Sequence, residues 1–146
     1  MTIDICPQGK GSGEQYVREK FVAEVRTFRQ KAAHTNSVLI FAIDADTKGV
    51  QARFNELGNL LNEAHMPERG QSEKIAIFVP KRNIETWIAY AQGTKVNETD
   101  VYQKLDRERE CKPAVKHLKD NICSKPLPEN APSSLFTACE ELNRLL

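Results

Sequence analysis

Val38-Leu39-Ile40-Phe41-Ala42-Ile43-Asp44-Ala45-Asp46 runs from six apolar residues straight into a pair of acids. An apolar run of this length, mostly β-branched or aromatic, predicts a central strand covered on both faces, as in parallel sheets. The strand is expected to stop at Asp44. An acid that follows such a strand directly is a candidate for chemistry, because open α/β sheets bind ligands beyond the carboxyl ends of their strands.

Upstream of this stretch, Val17, Phe21, Val25 and Phe28 recur at steps of three and four. They predict an amphipathic helix from Glu14 to about Ala33. Before it stand the glycine-rich turn Gly9-Lys10-Gly11-Ser12-Gly13 and a weakly alternating segment, Thr2 to Cys6, which reads as a short strand stopped by Pro7. Downstream, Val50, Phe54, Leu57, Leu61 and Ala64 predict a second helix closed by Pro67. Lys74 to Val79 predicts a third strand stopped by Pro80, and Ile84, Trp87, Ile88 and Ala91 a short third helix ending at Gly93. Further helices are expected near Asp100–Leu105, Pro113–Asn121 and Ser134–Leu146, with a proline-containing loop from Lys125 to Pro132.

Alternating strands and helices imply right-handed crossovers and an α/β fold: a three-layer, mainly parallel sheet with helices on both faces, plus C-terminal helices. The 146 residues fit a single domain, 1–146, with a core of about 1–93 and a helical C-terminal extension, 94–146. At 40% hydrophobic and 28% charged residues, the composition is that of a soluble globular protein. The apolar run is too short to span a bilayer, and Met1 to Cys6 lacks the basic and apolar regions of a secretory signal. A cytoplasmic location without membrane partners is therefore expected. Cys6, Cys111, Cys123 and Cys139 are widely spaced, so free thiols in a reducing compartment are expected as well. A net charge of +1 gives no global field for nucleic acid, which leaves local patches to make any such contact.

Asp44 and Asp46 are two residues apart, so their carboxylates share a side if strand geometry persists to Asp46. The spacing suits Mg²⁺, or Mn²⁺, which takes oxygen ligands and keeps waters for substrate phosphates. Otherwise one Asp caps the following helix and the other is solvated. The loop around Lys10 could wrap a phosphate at a helix N-terminus, although it lacks P-loop spacing. Glu14 falls in the first helical turn, where the dipole favours a carboxylate in any case. Lys81 and Arg82 follow the third strand as candidate phosphate contacts, and Glu85, one turn into the next helix, is a possible additional acid. Trp87 sits on an apolar stripe and is assigned to the core. Lys112, Lys116 and Lys119 share a helical face that is either solvated or in contact with a nucleic-acid backbone. His34, His65 and His117 have no acid or cysteine at ligand spacing and are not assigned to catalysis.

The strand Val38–Ile43 followed by Asp44-Ala45-Asp46 resembles the second motif of the TOPRIM fold of topoisomerases, DnaG-type primases and overcoming-lysogenization-defect nucleases. The segment Ile77-Phe78-Val79-Pro80-Lys81-Arg82-Asn83-Ile84-Glu85-Thr86-Trp87 is similar to small bacterial TOPRIM-related proteins associated with ATPases in phage defence. The resemblance covers roughly Ile3 to Gly93. It implies Mg²⁺ held by Asp44 and Asp46 for phosphodiester cleavage, with nucleic acid as substrate and an ATPase as protein partner. In that family a glutamate after the first strand acts as acid or base. This sequence has Gln8-Gly9 there, and glutamine cannot transfer a proton. Either Glu14 supplies that carboxylate to the metal as catalytic group and ligand, or the domain is a catalytically inactive docking or nucleic-acid-binding subunit.

Ile43-Asp44-Ala45-Asp46-Thr47 also resembles the Asp-X-Asp-X-Thr motif of haloacid-dehalogenase-type phosphatases, in which the first Asp is a nucleophile and the second an acid/base. That family needs a further acidic pair after a later strand, where this chain has Pro80-Lys81-Arg82.

Overall fold

The structure is a computed structural model that describes residues 4, 6–9, 11–104 and 106–146. The expected strand Thr2–Cys6 falls largely outside the described residues, and so does Lys10. Five α-helices and a two-stranded parallel sheet make up the described fold, which is mixed α/β. In chain order the elements are α1 (Gly13–Lys31), β1 (Leu39–Ala42), α2 (Val50–Glu63), β2 (Ile75–Phe78), α3 (Glu85–Ala91), α4 (Lys112–His117) and α5 (Ser133–Asn143). Among the described residues no helix is long and apolar enough to cross a membrane.

α1 begins where Ser12 accepts a hydrogen bond from the Gln15 amide at 3.2 Å, satisfying one of the helix's orphan donors. Its stripe buries Phe21 and Val25 against the odd-numbered strand residues Phe41, Ile43, Ile75 and Ile77, with Leu57 and Leu61 of α2 in the same cluster. Phe21 and Phe41 meet edge to face at 4.7 Å. α2 closes on a Schellman turn: the His65 amide donates to Asn62 and the Met66 amide to Leu61, with His65 at φ +56°. His65 thus has a structural place where glycine is the usual occupant.

The two strands pair in parallel, Leu39 with Ile75 through Ala42 with Phe78. Their coverage differs from expectation. Phe41 and Ile43 are buried, but Val38 and Ile40 are 47% and 50% exposed, so β1 is covered on one face only. β2 is the strand buried on both faces, with Ile75, Ala76 and Ile77 all inside. The reason is the placement of α5, which packs against β2. The outer edge of β2 is satisfied by side chains: the Ile77 amide donates to Glu141 at 2.7 Å, and Arg69 donates to the Ile75 carbonyl at 2.8 Å. Arg69 and Glu141 also pair through two bonds, at 2.6 and 3.0 Å.

Residues of the C-terminal extension build a second core together with α3. Trp87 of α3, Leu118, Leu135, Ala138 and Cys139 cluster together, with Phe78 of β2 packed on them. The Trp87 indole donates to Ser134 at 2.9 Å, which bears out its assignment to the core. Glu98 accepts from the Ser134 amide at 2.9 Å, placing a carboxylate at the positive end of α5. The helix expected at Asp100–Leu105 is not formed over residues 100–104. There the Asn97 side chain takes the Thr99 and Asp100 amides at 2.9 and 2.8 Å, a local turn that competes with the first turn of a helix. α4 runs on into a π-helical turn, Leu118–Ile122. The expectation of four free thiols is also overturned: Cys123 and Cys139 form a disulfide across this core, and Cys6 and Cys111 remain as thiols.

Candidate functional site

The chain stays beside β2 after β1 ends, because the Ile43 amide donates to Phe78 and the Ala45 amide to Pro80, at 3.0 and 2.9 Å. Ala45 is therefore buried while Asp44 and Asp46 face outward. Strand geometry does not persist to Asp46, which adopts φ +50°, a left-handed conformation that Asp tolerates better than most residues. The Lys48 amide closes the turn on the Ala45 carbonyl at 3.1 Å. Gly49, at φ +88°, is the N-cap of α2, and no side chain caps it. Neither aspartate serves as the helix cap.

Three loops meet in one cleft of about 500 Å³ lined by Ser12, Glu14, Asp44, Asp46, Pro80 and Ile84. A depression of about 510 Å³ elsewhere, beside Tyr90, Lys95 and His117, has no acid in its lining. The acids singled out in the sequence line the first, which makes it the candidate site.

The Asp44 carboxyl is pushed up to about 6, chiefly because surrounding protein displaces its water, and then by the charges of Asp46 and Glu85. Arg53 and Lys104 oppose that shift without cancelling it. Asp44 nonetheless remains open to solvent, so its charge is partly dehydrated rather than sealed away. Among the described residues Asp44 has no ion-pair partner at its carboxylate.

Glu14 has a different environment. Its Oε2 lies against Nη2 of Arg53 and its Oε1 is 3.4 Å from Nη2 of Arg18. The hydrogen bond from Arg53 holds the Glu14 carboxyl below the usual carboxylate range. Arg53 is 1% exposed. Its Nε donates to the Asp44 carbonyl at 3.0 Å and its Nη1 to Glu56 at 2.8 Å, while Nη2 is 3.9 Å from Asp46. Lys48 and Arg18 reach Glu56 at 3.1 Å each.

The other sequence-derived candidates scatter. Gln8 lies exposed in a turn. Lys81 is exposed after β2, and Arg82 donates to the Thr99 carbonyl, tying the 94–104 loop to the site's edge. Glu85 begins α3 and acts on Asp44 through its field. Lys112 and Lys116 are exposed on α4, which packs on α3. Among the described residues, no three Asp, Glu, His or Cys side chains come together as a ready-made metal cage.

Sequence reasoning missed Arg53, and a signal for it was present. With Val50 three residues before and Leu57 four after, Arg53 occupies the apolar stripe of α2. A charge on a buried stripe needs a partner, and here the partners lead to the site. Comparison of the chain with protein-family models, with curated proteins and with solved structures gives no match.

Proposed function

We propose that this domain binds a divalent cation, Mg²⁺ or Mn²⁺, through Asp44 and Asp46 and acts on phosphodiesters of nucleic acid, in the manner of a TOPRIM-like nuclease subunit. The observation that carries this reading is the acidic mouth of the cleft, where Asp44, without an ion-pair partner among the described residues, stands beside Asp46 at the carboxyl end of β1. Mg²⁺ fits such a mouth, because it needs only one or two protein carboxylates and completes its octahedron with water and phosphate oxygens. When bound, the cation supplies countercharge to the phosphate. Lys81 stands exposed at the same edge and can add a further positive charge. The cytoplasmic setting and the ATPase partner belong to the same proposal, as does a three-layer TOPRIM-like sheet.

The test is incubation of the purified protein with supercoiled plasmid and Mg²⁺ or Mn²⁺, beside an Asp44→Ala control. Nicked or linear product from the wild type and none from the control is the expected result. Equal behaviour of the two proteins removes the nuclease reading.

The second reading, a TOPRIM-like docking or nucleic-acid-binding subunit that cuts nothing, is favoured by Gln8 and by the engagement of Glu14 with Arg53. A base whose proton affinity is lowered by a buried guanidinium is poorly suited to take a proton from water. On that reading the plasmid is bound, as a shift in gel mobility reports, but stays intact.

A further inference from the structure

The carboxylates around the cleft fall into two electrostatic classes. Asp44 and Asp46 face the opening, whereas Glu14 is turned onto the guanidinium of Arg53 and flanked by Arg18. Arg53 is nearly fully buried, and its fork is directed to three places: the Asp44 carbonyl, Glu56, and Glu14 with Asp46 at 3.9 Å. A guanidinium cannot shed its charge inside a protein. A dication that ligated Glu14 would have to displace it and leave a buried cation short of a partner, among the costlier changes a fold can undergo. Sites that hold two metals 3.5–4 Å apart place acids on both sides of the pair. In this cleft the Glu14 side already holds a positive charge, and that charge comes from the protein itself.

Resting on the reading of Asp44 and Asp46 as cation ligands, we infer that Arg53 is the site's built-in second positive charge: it neutralises Glu14 and fixes the Asp44 backbone, so that the cleft takes a single divalent cation with Glu14 outside its ligand shell. Arg53 is then a positioning residue, and the site's preference for one metal follows from its presence.

Calorimetric titration of the full chain with MnCl₂ tests this without any activity assay. The wild type should bind a single Mn²⁺. Glu14→Gln should keep that stoichiometry with affinity lowered by less than about tenfold, since it removes no ligand and leaves only the unbalanced Arg53 charge to act on the cation. Asp44→Asn should weaken binding by more than about tenfold, as loss of a ligand or its close support does. Arg53→Gln, with folding checked by far-UV circular dichroism, should admit a second Mn²⁺ or tighten the first by about tenfold, because Glu14 and Asp46 lose their internal counterion. Adding Glu14→Gln to Arg53→Gln should restore the single site. A purely structural Arg53 predicts the reverse, weakened binding with no gain of a site, and that result overturns the inference. So does a wild type that takes two ions, or a Glu14→Gln protein whose affinity falls about tenfold or more. Should Arg53→Gln fail to fold, the Glu14→Gln titration still decides. A wild type that binds no Mn²⁺ brings down the proposed function and this inference together, whereas a fall of about tenfold or more in Glu14→Gln alone overturns the inference and leaves Asp44 and Asp46 as ligands.

Discussion

Two arginines sit beside the sheet, Arg53 buried and Arg69 half-buried, and the networks they make differ. The Arg69 network closes on itself: Arg69 meets Glu141 through two bonds and the Ile75 carbonyl through another, while Glu141 also takes the Ile77 amide. Arg53 meets Glu14, Glu56 and the Asp44 carbonyl, but one side of its network continues into a cleft where Asp44 lacks a partner. Both place charge on the apolar side of the fold at a real desolvation cost. A closed network offsets that cost by holding elements together. An open one leaves an unbalanced charge at a surface, which is the condition for binding something else.

The sharpest way to break this comparison is Glu141→Ala, which strands Arg69 and orphans the Ile77 amide. It should destabilise the fold by about 3 kcal/mol in urea unfolding, the usual scale for removing one partner of a buried pair. A loss well below about 1 kcal/mol would show that the network at the edge of β2 is not a structural tie.

Asp44→Asn should act in the opposite direction. An aspartate ionises near 4 in an unfolded chain, and Asp44 does so near 6 in the fold. Because the folded value is raised, the stability carried by the protonated form is complete below about pH 4 and is lost as pH rises through about 6. The asparagine variant should therefore be more stable than the wild type at pH 8, by about 1 kcal/mol once solvent screening at this open position is allowed for. Its advantage should shrink toward zero by pH 4. A gain of equal size at both values would mean that something other than ionisation is at work.

Lys48→Ala sharpens the comparison at its outer limit. Lys48 reaches Glu56 from solvent, with its side chain 48% exposed. Removing it should cost only about 0.3 kcal/mol, near the resolution of chemical denaturation. A larger loss would place the boundary of the open network farther out than Glu56.

Periodicity made α1, α2 and the apolar strands legible, since Val17, Phe21, Val25 and Phe28 lie on the helical face that the structure buries or half-buries. The same composition could not show which strand would be covered twice. Leu39–Ala42 and Ile75–Phe78 read alike, and only the docking of α5 on β2 separates them. The Cys123–Cys139 bond was hidden for a similar reason, because their 16-residue separation says nothing about the turn that brings them within 5.0 Å at Cα. At the site, the apolar run led correctly to a loop edge with two outward acids. The left-handed turn at Asp46 has no local signal in the spacing, and the capture of Glu14 depends on Arg53, a long-range partner that no local spacing specifies.

The carboxylate of Glu141 against the Ile77 amide has a consequence for the molecule among its neighbours. An unpaired strand edge is a template on which another chain can add a strand, and this is a common start of aggregation. With the Glu141 side chain on the amide and an arginine on the carbonyl two residues before it, β2 presents an incoming strand with groups already bonded. A strand added on this side would have to break that ion pair first, so the residue that ties α5 to the sheet also raises the cost of edge-to-edge pairing between copies of the chain.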